Sequence, residues 1–141
     1  MPTLDHERIR HAFDAGPATR FAALFGSQAT GKARDHSDVD IAWLPVDRDV
    51  PLADELALQV ALTRALGREV DLVRTDRTST ICRMEIARDG QLLYGDQAAF
   101  TLFKVEATIE FLDFEPAWRQ ANELFQRRLA ERAGQPAKSK P

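Results

Sequence analysis

The sequence predicts an α/β domain in which helices pack on a small mixed β-sheet, with a helical extension at the C-terminus. Up to Gly95, short apolar runs typical of strands alternate with longer segments of helical periodicity. From Gln97 onward, apolar residues recur at helical spacing. The chain has 141 residues, which is enough for one hydrophobic core but not for two.

Three stretches follow from this pattern. We expect residues 1–96 to form the α/β core and residues 97–133 to form a helical extension of the same domain. Residues 134–141 are small, polar and basic, and this composition predicts a disordered tail.

The first elements are marked by glycine, proline and apolar runs. A short helix is expected over residues 4–13, and a strand buried on both faces over residues 20–25. Ser27 is a good N-cap for a brief helix that Gly31 interrupts. Residues 38–44 alternate with period two, which predicts the second strand.

The next helix is expected to begin at Pro51 and to end before Gly67. Apolar residues stack at i,i+4 along it, and a polar row is expected on the opposite side. The apolar residues are Leu52, Leu56 and Val60 with Leu58, Leu62 and Leu66, and the polar row is Glu55, Gln59 and Thr63.

The remaining elements are expected to be a strand over residues 69–73, a helix over 79–89 and a strand over 91–94. A helix then begins near residue 97, with Phe100, Phe103, Ala107 and Phe111 on one face. Pro116 is expected to break it and to start a second helix.

Composition excludes several function classes. The net charge of −3 argues against direct binding of nucleic acid through the whole surface. Cys82 is the only cysteine, so no internal disulfide is possible. Neither a membrane span nor a signal peptide is visible. These features predict a cytoplasmic protein.

The most informative motif is Gly26-Ser27, a ten-residue spacer, and then Asp38-x-Asp40. A glycine lets the backbone approach a phosphate closely, and Ser27 offers a hydroxyl and an N–H at a helix start. Lys32 and Arg34 lie in the loop that follows and are candidate phosphate contacts.

Three carboxylates are candidate metal ligands. Period two sends Asp38 and Asp40 to the same side of one strand, and Asp71 lies inside another apolar run. If the two strands are neighbours in register, Asp71 completes a triad for Mg²⁺, with two ions expected. Asp71 would then ligate the ion nearer the nucleophile and accept its proton.

Each feature alone has an ordinary structural explanation. Gly26-Ser27 suits any turn that ends a strand, and the acids suit a solvated strand face. Together, however, they predict transfer of a nucleotidyl group from a nucleoside triphosphate to a hydroxyl.

The segment from Phe21 to Gly95, through its Gly-Ser and Asp-x-Asp motifs, resembles the minimal nucleotidyltransferases of the DNA polymerase β-like superfamily, specifically the MntA-type antitoxins. The resemblance implies a nucleotidyltransferase fold in which Asp38, Asp40 and Asp71 bind magnesium. It implies that Gly26 and Ser27 hold the triphosphate of ATP. It also implies a partner, a HEPN-domain ribonuclease toxin, which is inactivated when AMP is transferred to one of its tyrosine hydroxyls.

Two alternatives remain open from the sequence. The chain could neutralise its partner by complex formation without catalysis, through the aromatic residues Phe100, Phe103, Phe111 and Trp118. It could also modify a small molecule, as the enzymes that adenylylate aminoglycosides do.

Overall fold

The computed structural model describes residues 4–31 and 38–134. Helices and strands alternate along these ranges, which confirms the predicted α/β class. The elements are α1 (His6–Ala15), β1 (Thr19–Phe25), α2 (Ser27–Thr30), β2 (Val39–Pro45), α3 (Leu52–Leu66), β3 (Val70–Arg74), α4 (Thr80–Asp89), β4 (Gln91–Gly95) and α5 (Gln97–Arg132). None of the described helices is long and apolar enough to cross a membrane. Residues 135–141 of the predicted tail, 134–141, lie outside the described ranges.

The strands form one mixed sheet with the order β3-β2-β1-β4. Strand β1 is antiparallel to both β2 and β4, whereas β2 and β3 are parallel. A parallel pair needs a crossover connection, and α3 supplies it. The predicted mixed sheet is therefore confirmed.

Helices cover both faces of the sheet. On one face, α1 and α3 pack over the side of β2 that carries Val39, Ile41 and Trp43. On the other face, α4 and α5 pack over Phe21 and Ala42. The predicted period-two strand is confirmed, and β2 separates two cores.

The two apolar rows of α3 differ in burial. One row is buried against α1 and the sheet, whereas the other is exposed to solvent at 66%, 50% and 48% of its side-chain surface. The buried row contains Leu58 and Leu62, and the exposed row is Leu52, Leu56 and Val60.

The predicted position of the polar row on α3 is therefore wrong, and β3 gives the reason. Glu55 is drawn inward by an ion pair with Arg74, at 3.2 Å. Thr63 accepts a hydrogen bond from the backbone N–H of Val70, at 3.2 Å. These polar groups satisfy partners on β3 that an apolar row could not.

The predicted helix break at Pro116 is also wrong, because α5 is a single helix with this proline inside it. An interior proline removes one backbone hydrogen bond and costs about 3 kcal/mol. The residues around it include many strong helix formers, such as Ala117 and Arg119, so the helix continues through it.

A buried arginine joins three parts of the fold. The side chain of Arg74 is 5% exposed and pairs with Asp76 at 2.7 Å and with Glu55. It also donates to the carbonyl of Arg48 at 3.1 Å and lies over the Trp43 ring. The cluster fixes the end of β3 to α3 and to the loop after β2.

We expect Asp76→Asn to destabilise the protein by about 3 kcal/mol, because removing one partner of a buried ion pair leaves the other charge poorly compensated. Chemical denaturation at pH 7 measures the change. The matched control is Glu7→Gln, which removes an exposed pair with Arg10 and should change stability by no more than about 0.5 kcal/mol. An equal effect of the two substitutions would contradict the expectation.

The same aspartate gives the stability a defined pH dependence. Burial raises the pKa of Asp76, but the hydrogen bond and charge of Arg74 outweigh it and hold the pKa below the ordinary value of 3.8. The stabilisation is therefore complete above pH 3.8 and is lost as the pH falls through the lower folded-state pKa. Wild type should lose stability more steeply in acid than Asp76→Asn.

Candidate active site

The glycine–serine turn joins β1 to α2. Gly26 has φ of 74° and ψ of −151°, and its carbonyl accepts from the N–H of Thr30 at 3.2 Å. Gly26 is therefore the N-cap of α2, and Ser27 is its first helical residue. The predicted N-cap at Ser27 is wrong by one residue, because the glycine backbone makes the turn that a capping side chain would otherwise stabilise.

The sheet register brings the acidic residues of β2 and β3 side by side. Asp40 is paired with Phe25 of β1 on one side and with Asp71 of β3 on the other. Neighbouring strands lie about 4.8 Å apart, so Asp40 and Asp71 are next to each other across the parallel pair. Asp38, two residues before Asp40, lies just before the start of β2. The register that the triad requires is present.

These acids belong to the side of the sheet that α4 and α5 cover. Asp40 alternates with Val39 and Ile41, which are buried in the core on the opposite side. Asp40 is half-buried, whereas Asp38 and Asp71 are exposed. The acidic end of the sheet is thus open to solvent.

Gly26 lies directly against Asp40. A Cβ atom added at Gly26 would be 3.2 Å from Asp40 Cγ and would overlap its Oδ2. A side chain at this position would therefore displace the carboxylate. The glycine–serine turn and the Asp-x-Asp motif, separated by ten residues in sequence, meet at this contact.

The electrostatics of the site follow from this crowding. Burial, and then the negative charges of Asp71, Asp38 and Glu85, raise the pKa of the Asp40 carboxyl. Glu85 comes from α4 and was not predicted, because nothing in its local sequence shows that α4 packs beside this end of the sheet. A divalent cation would relieve the repulsion.

The donor chemistry of the site fits magnesium, which prefers hard carboxylate oxygens. Across residues 4–31 and 38–134, however, no three His, Cys, Asp or Glu side chains are already gathered around one point at which they could hold a metal ion. The residues that would hold Mg²⁺ if it binds here are the three predicted acids, Asp38, Asp40 and Asp71.

Two predicted phosphate contacts, Lys32 and Arg34, lie outside the described residues. A contact that the sequence did not predict is made by Gln91 of β4, whose Nε2 donates to the carbonyl of Ala29 at 3.1 Å. This hydrogen bond ties α2 to the edge of the sheet and helps to position the turn at Ser27.

The chain matches a known protein family over the segment that carries the site. The family model described as polymerase β, nucleotidyltransferase, matches residues 7–99, which contain the turn and all three acids. The chain belongs to this family. The predicted nucleotidyltransferase fold is therefore confirmed, and the family match ends within the first turn of α5.

Relatives of this nucleotidyltransferase include antitoxins. It is 37% identical over 118 residues to the protein adenylyltransferase MntA of Shewanella oneidensis, covering 83% of each chain. A crystal structure of a toxin–antitoxin with AMP-PNP is similar with a TM-score of 0.73 and 30% identity, over 90% of this chain and 100% of that chain.

A second structure contains the tri-AMPylated HEPN toxin of Shewanella oneidensis in complex with its MNT antitoxin. The TM-score is 0.67 and the identity 28%, over 89% of this chain and 96% of that chain. The similarity to these complexes therefore extends well beyond the part of the chain that the family model matches.

Proposed function

We propose that this nucleotidyltransferase transfers AMP from ATP, with Mg²⁺, to a tyrosine hydroxyl of a HEPN-domain toxin in the cytoplasm and so inactivates it. The contact of Gly26 with Asp40, which is itself in register with Asp71, carries the proposal. It joins a turn suited to phosphate with carboxylates suited to a divalent cation. The identity with MntA supports adenylyl transfer to a protein as the reaction.

Each residue has a defined role in the proposed reaction. Gly26 and Ser27 hold the triphosphate at the start of α2, and Lys32 and Arg34 contact its oxygens. Asp38, Asp40 and Asp71 hold Mg²⁺, which when bound neutralises the charge of the triphosphate and of the leaving group.

The bond changes are a single displacement at the α-phosphorus of ATP. The tyrosine oxygen forms a bond to this phosphorus while the bond to the β-phosphate oxygen breaks, and pyrophosphate leaves. Asp71, an exposed acid on the edge strand β3, accepts the proton of the tyrosine hydroxyl. The residues of the chain act mainly by holding the tyrosine oxygen in line with the α-phosphorus and the leaving pyrophosphate.

The test uses the purified chain, ATP, MgCl₂ and the HEPN-domain toxin that the proposal predicts to be encoded beside its gene. Intact-mass measurement should show addition of AMP to the toxin, and peptide mapping should place it on tyrosine. No addition, or addition that persists in excess EDTA, would refute the proposal.

We expect Asp71→Asn to slow this transfer by about 10²–10⁴-fold, the usual contribution of a general base, with little change in fold. The matched control is Asp54→Asn, since Asp54 is an exposed acid in the first turn of α3 on the opposite layer. Single-turnover rates with saturating ATP measure both. Equal transfer rates for the two variants would show that Asp71 has no role in the reaction.

A further inference from the structure

A row of apolar side chains lies exposed along the first half of α5. The helix packs on the sheet through a different side, which carries Phe100, Phe103 and Ala107. The exposed fractions in the row are 60%, 50%, 55% and 66%. The row is Leu102, Val105, Ile109 and Leu112.

The spacing of this row indicates which kind of partner surface would fit it. Its residues are separated by three, four and three positions, which is the seam of a two-stranded coiled coil. A seam of this kind accepts knobs from a facing α-helix, whose anchors recur at the same three- and four-residue spacing. The repeat therefore favours an amphipathic helix as the occupant.

Charges beside the row restrict the occupant further. Glu106 and Asp113 are exposed along one edge of it. Glu106 lines a cavity together with Arg20 and Arg83 of this chain, whereas Asp113 is not among the residues that line that cavity. The basic residue between positions 102 and 113 is Lys104, whose ammonium lies over the Phe100 ring on the core side. A second copy of this helix segment therefore offers no positive charge to these acids, whereas a helix with lysine or arginine at the facing positions does.

The row lies outside the catalytic module of the family but inside the part shared with antitoxins. The family match stops at residue 99. The toxin–antitoxin structure with AMP-PNP is similar over 90% of this chain, which is more than residues 1–99 can supply. Part of α5 is therefore shared with a chain from a toxin–antitoxin structure, although it lies outside the family match.

We propose that the exposed row of α5 is the docking surface for an amphipathic helix of the toxin partner, with apolar residues at three- and four-residue spacing and basic residues opposite Glu106 and Asp113. This inference rests on the proposed function for the identity of the partner. The row begins near the sheet end that carries Arg20, Leu44 and Thr75, which is opposite the acids, so docking there would use none of the residues of the reaction.

The test measures affinity for the HEPN-domain toxin that the proposed function predicts as the partner, by calorimetry without ATP, so that binding is separated from transfer. Ile109→Glu should weaken binding by roughly tenfold or more, as expected for a residue at the centre of an interface. The matched control is Leu56→Glu, which changes an equally exposed apolar residue on α3 and should leave the affinity within about twofold. Unchanged affinity of Ile109→Glu would overturn the inference.

A second variant tests the charge requirement. Glu106→Lys combined with Asp113→Lys should weaken binding, and the loss should shrink at high salt because exposed charges are screened. Tighter binding by this double variant would overturn the assignment of a basic partner helix. Sedimentation of the chain alone tests the other occupant, since a wild-type dimer that Ile109→Glu dissociates would assign the row to a second copy.

The two proposals fail in different ways. Binding that depends on Ile109 but without AMP transfer would refute the proposed function and leave the docking surface supported. Transfer at the wild-type rate by Ile109→Glu, with unchanged affinity, would refute the docking surface and leave the proposed function supported.

Discussion

Asp40→Asn should abolish AMP transfer and, at the same time, stabilise the protein in the absence of metal. The rate should fall by at least about a thousandfold, because charge stabilisation by a bound cation is worth several kcal/mol and each 1.36 kcal/mol is a factor of ten. The opposite effect on stability has a separate cause. Asp40 is partly buried and feels the negative charges of Asp71, Asp38 and Glu85, so its own negative charge is unfavourable until a cation binds.

The sign of the stability change follows from the pKa. Burial and the charges of Asp71, Asp38 and Glu85 raise the pKa of Asp40 in the folded state. The metal-free fold therefore loses stability as the pH rises through this pKa, and asparagine removes that loss. In EDTA at neutral pH, the melting temperature of Asp40→Asn should exceed that of wild type.

Magnesium should reverse this order. A ligand that binds the folded state raises its stability, so added MgCl₂ should raise the melting temperature of wild type but not of Asp40→Asn. Asp54→Asn is the control, because its carboxylate is exposed and remote from the acids. A variant at Asp40 that is less stable than wild type in EDTA, or that still responds to magnesium, would contradict this account.

The sequence predicted those parts of the site that depend on local pattern. Period two in residues 38–44 placed Asp38 and Asp40 on one side of a strand, and Gly26 marked the turn after β1. The order of the strands is not a local property. From the sequence, Asp71 could be placed beside Asp40 only on the condition that their strands are neighbours in register. The parallel register of β2 and β3 meets this condition.

The errors at α3 and Glu85 share one physical cause. Contacts between elements decide between alternatives that the local sequence pattern does not distinguish. Two apolar rows of α3 have similar hydrophobicity, but the partners offered by β3 draw Glu55 and Thr63 inward and leave Leu56 exposed. Glu85 reaches the acids only because α4 packs over this side of the sheet.

The continuity of α5 has a different origin, because the residues around Pro116 are mostly exposed and the helix continues through its own stabilisation. A proline at position 116 is a strong local signal for a break, and it would start a second helix if nothing else acted on the chain. One lost hydrogen bond is a small fraction of the stabilisation of a 36-residue helix. The extension is therefore one long helix, and the docking row lies on the part of it before Pro116.

Gly26→Ala should eliminate activity with only a moderate loss of stability. Its φ of 74° and ψ of −151° lie in a region that is nearly restricted to glycine, so alanine costs about 1–3 kcal/mol there. The new Cβ would also overlap Asp40 Oδ2, and the carboxylate would have to move. A displacement of about 1 Å can reduce a rate by 10²-fold, so transfer should fall by at least about this factor.

Gly67→Ala separates the cost of the backbone conformation from the displacement of the Asp40 carboxylate. Gly67 also has a positive φ, 66°, but a Cβ added there meets no atom within 4 Å. Left-handed backbone costs an alanine about 1–2 kcal/mol, so denaturation should show losses of similar size in the two variants. Transfer rates measured below both melting transitions should then differ sharply, with Gly67→Ala close to wild type. If Gly26→Ala is as active as Gly67→Ala, the contact between the glycine turn and Asp40 has no part in the reaction.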